Sequence, residues 1–123
     1  MWGDDNVGNS TVTRYLSPGY SEQGTAGTSD IVRLRVPRAG VVKNLYVKQN
    51  TPSSSTDTLT YTLLLNGVAT ALTVTVAANV STAQDVVNTV SAAAGDELSV
   101  RVTKSGIVNP STLQIVVTAE FST

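Results

Sequence analysis

Residues 63–76 read LLLNGVATALTVTV. Two runs of strand-favouring residues meet at Asn66-Gly67, and the second run alternates apolar residues with threonine. Asn-Gly suits a type I′ turn, because both central positions of that turn require positive φ. The stretch therefore specifies a β-hairpin, and the same alternation extends outward from it. Upstream, TLTYTLLL points Leu59, Tyr61, Leu63 and Leu65 to one face and Thr58, Thr60 and Thr62 to the other. IVRLRV sets Val32, Leu34 and Val36 against Arg33 and Arg35. VVKNLYVK turns Leu45 and Val47 inward. Downstream, DVVNTV is a shorter strand, ELSVRVT buries Leu98, Val100 and Val102, and TLQIVVTAEF buries Leu113, Ile115, Val117, Ala119 and Phe121. Period-two alternation broken by turn residues predicts seven or eight strands in a two-sheet sandwich, and no helical periodicity competes with it.

The chain changes character near residue 30. Before it, Gly, Ser, Thr and Asn dominate, and large side chains stand singly at Trp2, Val7, Tyr15, Leu16 and Tyr20. Aromatic surface is costly to expose in a free linker. Residues 1–30 are therefore expected to form an extended arm whose Trp2, Val7, Arg14, Tyr15, Leu16 and Tyr20 dock on another surface. The alternative is that TVTRYL is a strand of the domain itself. Residues 31–123 are the sandwich domain. Deleting residues 1–25 is then expected to leave the domain folded and to remove its anchor.

At 123 residues the chain is one domain, and 14% charged residues is low against the usual quarter or so. Several apolar residues violate the alternation. Leu64 falls on the threonine face and Val116 opposite Ile115 and Val117, while Val41-Val42 and Val86-Val87 are adjacent pairs. Either β-bulges re-aim these side chains, or an outer sheet face is buried in an oligomer. Leu64 and Val116 are the candidate subunit-interface residues.

Catalytic chemistry is poorly represented. The chain has no histidine and no cysteine, which removes the commonest general base, the thiolate nucleophile and the soft metal ligands. Asp57, Asp85 and Asp96 sit where turns and strand starts use carboxylates. GDDNVGNS lacks the distal glutamate of a calcium loop. No catalytic residue, metal or cofactor is expected, and no small-molecule substrate. Arg33, Arg35 and Arg38 form a basic cluster, yet the net charge of −1 and pI near 5.1 argue against nucleic acid. These arginines instead form either a solvated face or a polar interface with an acidic partner surface or neighbouring subunit. No apolar run is long enough for a membrane helix, and the first twenty residues do not read as a signal peptide.

The succession IVRLRVPRAGVVKNLYVK, LTYTLLLNGVATALTVTV, DVVNTVSAAAGDELSVRVT and IVVTAEF resembles small jelly-roll proteins of tailed bacteriophages. These are capsid decoration (cement) and head-fibre proteins with a tumour-necrosis-factor-like trimeric fold. The resemblance covers roughly residues 31 to 122. It implies a jelly-roll sandwich of about eight antiparallel strands, a homotrimer, and a virion protein assembled in the host bacterial cytoplasm. It further implies attachment to the major capsid protein on the outer surface of the head. A tail, spike or head-fibre module that binds a host receptor or carbohydrate is the alternative that the same wording implies.

Overall fold

The computed structural model describes residues 1–4, 13–18, 33–53, 56–106 and 113–123. These residues form nine strands and no helix: β1 (Trp2–Asp4), β2 (Arg14–Pro18), β3 (Leu34–Arg35), β4 (Gly40–Gln49), β5 (Leu59–Leu65), β6 (Val68–Val76), β7 (Thr82–Ala92), β8 (Glu97–Lys104) and β9 (Ile115–Ser122). All pairings are antiparallel. One sheet runs β6-β5-β8-β2, with β3 also pairing β8; the other runs β1-β9-β4-β7. The two sheets are joined at one margin by the β1–β2 ladder, where Trp2 stands opposite Pro18.

The hairpin forms as its sequence dictates. Asn66 and Gly67 have φ of 52° and 81°, and Leu65 pairs with Val68 across the turn. Replacing Gly67 with Val should destabilise the protein by roughly 1–3 kcal/mol, because a β-branched side chain resists this conformation. Urea denaturation would measure it, and an unchanged midpoint would refute the turn assignment. The inward faces also follow the alternation. Leu59, Tyr61, Leu63, Leu72, Val74, Val76, Val100 and Val102 meet Val42, Leu45, Val47, Ile115 and Val117 in one core. On the outer face of the first sheet, Thr60 bonds Thr75 and Thr62 bonds Thr73, each at 3.0 Å. Such cross-strand threonine pairs stabilise a sheet by a few tenths of a kcal/mol to ~1 kcal/mol.

Four expectations are overturned. The N-terminal segment is not a detached arm where it is described. Trp2, 3% exposed, pairs with Val117 through β1 and belongs to the core, and Leu16 joins it opposite Val100. The strand alternative for TVTRYL holds over β2, because β8 has a free edge that β2 completes. Second, Leu64 is 1% exposed within the single chain, so it is not surplus apolar surface awaiting a neighbour. Third, Leu34 and Phe121, expected to face inward, are exposed. They lie at the margin where β3, only two residues long, leaves the sandwich open. DVVNTV was also expected to be short, yet β7 runs for 11 residues.

Candidate functional site

Asp96, Glu97 and Glu120 serve local structure. Asp96 accepts from Asn66 Nδ2 and the Ala93 amide, which hold its carboxyl below the ordinary range and tie the hairpin turn to the start of β8. Glu120 accepts from Asn44 Nδ2 at 2.7 Å and pairs with Lys43 at 3.2 Å; these contacts lower its pKa in the same sense. Glu97 pairs with Arg33 at 2.8 Å. Among the described residues no three acidic, histidine or cysteine side chains converge as a metal site. Two apolar surface features stand out among the described residues, a projection and a pocket.

The projection is built around Asp85. In the β4–β7 ladder Lys43 stands opposite Thr89 and Leu45 opposite Asp85, so residues 86–88 share the single partner position of Asn44. Asn44 adopts a φ of 53°, a conformation that asparagine tolerates better than most residues. The Asp85 side chain is buried and closes the bulge by accepting four hydrogen bonds. Val87 N and Asn88 N donate at 3.0 Å, Asn88 Nδ2 at 2.9 Å, and Thr73 N from β6 at 3.3 Å. Burial alone would raise the Asp85 pKa, but the donors from Asn88, Val87 and Thr73 outweigh it and lower the value. Val86 and Val87 are thereby turned outward, 59% and 83% exposed. The bulge explanation for this valine pair is the one the fold adopts.

These valines stand on a margin almost devoid of charge. β6 and β7 end the hydrogen-bonded order of strands, and the Thr73–Asp85 contact brings them together at the margin opposite β1 and β2. VATALTVTV carries no charged residue, and TAQDVVNTVSA carries only Asp85, which is turned inward. Val68, Ala69, Ala71, Thr73 and Thr75 are exposed along β6, and Gln84, Asn88 and Thr89 along β7. Sequence reading flagged the Val86-Val87 pair but did not place it. The signal that could have done so is the Asp-x-x-Asn spacing of Asp85 and Asn88, which lets one carboxylate collect nearby backbone and side-chain donors.

The pocket lies at the opposite margin, between the two sheets, with a volume of about 440 Å³. Trp2, Val36, Val42 and Leu98 are its buried walls, and Met1, Leu34 and Phe121 its exposed rim. The β1–β2 ladder closes this margin along β8 as far as Val100. Further along this edge of β8, the described partner is β3, at Leu98 and Glu97, and the pocket lies beside it.

The remaining sequence candidates are distributed rather than gathered. Tyr15 is half-buried opposite Arg101, and Arg14 occupies a ladder position opposite Val102. Val7 and Tyr20 lie outside the described residues. Arg33 is engaged with Glu97, whereas Arg35 and Arg38 are exposed. Val116 is half-buried beside Lys48 on the outer face of the second sheet. No protein-family model matches the chain, and no curated protein matches it either.

Proposed function

We propose that the chain is a structural protein of a bacteriophage virion, a jelly-roll decoration protein that binds the outer surface of the head as a homotrimer and stabilises the shell. The virion reading rests on the resemblance of residues 31–122 to phage jelly-roll proteins, and the observation that supports assembly is the uncharged β6–β7 margin with Val86 and Val87 projecting from it. Edge strands of soluble monomers usually carry lysines or other charges that discourage pairing with another chain. Here the edges present threonine, alanine and valine, and β6 of one copy set against β7 of the next would make the head-to-tail contact that a closed three-fold ring requires. The subunit interface is thus assigned to β6 and β7 in place of Leu64, which the chain buries itself. Val116 is a peripheral candidate on the adjacent sheet face.

Contact with the major capsid protein falls to Arg35 and Arg38, exposed cations on the far side of the sandwich from the proposed trimer margin. An acidic capsid surface would complement them, and three copies acting together make the second and third contacts intramolecular. Selective affinity for the assembled shell stabilises that shell by mass action. The protein would be assembled into virions in the bacterial cytoplasm.

Light scattering should give three times the chain mass of 12.8 kDa. Val86→Asp combined with Val87→Asp should yield folded monomers, since both positions are exposed and tolerate polar side chains. Purified trimer should co-sediment with phage heads, and Arg35→Glu with Arg38→Glu should abolish that. A wild-type monomer at micromolar concentration would refute the assembly, and unchanged co-sedimentation of the double arginine variant would refute the docking surface.

A further inference from the structure

We infer that the pocket between β3 and β1 is a binding site for an amphipathic carboxylate, a medium-chain alkyl acid held by its tail. Its volume of about 440 Å³ falls within the range of small-ligand sites, ~300–1,000 Å³. Its described lining is apolar except for Arg35. Arg35 is exposed and forms no ion pair among the described residues, whereas neighbouring Arg33 is paired with Glu97. One unpaired guanidinium beside an apolar cleft complements a ligand with an apolar body and a single anionic end. Guanidinium binds carboxylate through two parallel hydrogen bonds, which favours this head group over a neutral hydroxyl.

The walls form an open cleft that gives the tail apolar surface on two sides. Trp2 and Val42 come from one sheet and Val36 and Leu98 from the other side of the cleft, and all four are buried. Leu34 and Phe121 are exposed at the rim, and among the described residues β3 pairs with β8 alone. An alkyl chain entering there removes their apolar surface from water along with its own. Each buried methylene should tighten binding roughly fourfold. The site is independent of the β6–β7 margin, so it stands or falls separately from the proposed trimer; it shares Arg35 with the proposed capsid-docking surface, and ligand binding to the free protein is read apart from co-sedimentation with heads.

Trp2 is the sole tryptophan of the chain and lines the pocket, so its fluorescence reports occupancy directly. The full-length protein would be titrated, below micelle-forming concentrations, with octanoate, decanoate, decanol and decyltrimethylammonium. Decanoate should produce a saturable Trp2 change and bind about tenfold tighter than octanoate or more, from the two added methylenes. It should also bind about tenfold tighter than decanol, the factor expected of a charge-assisted head-group contact. The cationic amphiphile should bind weakest. Arg35→Gln should bring decanoate to the level of decanol without altering the melting temperature. Ala119→Leu, which adds bulk to the pocket wall, should weaken all the ligands; should that variant not fold, Arg35→Gln decides alone. No saturable change up to roughly 1 mM decanoate would overturn the proposal. So would equal affinity for decanoate and decanol, or an unchanged carboxylate preference in Arg35→Gln.

Discussion

Removal of residues 1–25 is expected to abolish cooperative folding, in contrast to the detachable anchor that their composition suggests. The deletion takes away β1, which pairs with both β2 and β9, and β2, which completes the edge of β8. It also removes Trp2 and Leu16 from the core. Truncating a buried tryptophan to alanine costs about 3–5 kcal/mol and a buried leucine about 2–5 kcal/mol. Together these losses rival the whole stability of a small domain, ~5–15 kcal/mol. Circular dichroism of the truncated chain should show no cooperative melt, and Trp2→Ala alone should lower stability by roughly 3–5 kcal/mol. A truncated protein that melts within a few degrees of the full chain would show that the N-terminal strands are not part of the core.

Asp85→Ala should produce the largest effect of any single polar substitution, a destabilisation of roughly 2–4 kcal/mol. The variant leaves the Val87, Asn88 and Thr73 amides without their acceptor and releases the bulge that presents Val86 and Val87. The effect is pH-dependent with a definite sign. The folded-state pKa of Asp85 is lowered from its ordinary 3.8, so its contribution is complete at pH values above the unfolded pKa. The contribution is lost as pH falls below about 4 and through the folded pKa. Urea unfolding at a series of pH values should therefore show the wild type and Asp85→Ala converging in acid. A constant gap between them would mean that the Asp85 carboxylate is not the acceptor that closes the bulge. If the β6–β7 margin forms the trimer, the variant should also dissociate more readily than the wild type, because the bulge that presents Val86 and Val87 is released.

The local alternation and the turn were enough to establish the all-β character of the chain and most of its inward faces. Asn66-Gly67 closes a hairpin whose partners are adjacent in sequence, so its chemistry is self-contained. Leu98, Val100 and Val102, like Ile115 and Val117, follow period-two alternation because each faces a core on one side only. Tertiary structure decided what local pattern could not carry. Trp2 reads as a stray aromatic until β9, from the far end of the chain, pairs with it, and Leu16 acquires its place only when β8 supplies Val100. Leu64 shares the threonine face of β5 in sequence and is nevertheless buried. Val86 and Val87 look like core residues but face outward, because Asp85 and Asn44 shift the register between them. Leu34 and Phe121 fall on the apolar side of their strands' alternation, yet both are exposed at the rim of a pocket between the sheets. Alternation is a property of one strand and assigns its faces; burial depends on whether another strand, distant in sequence, covers that face.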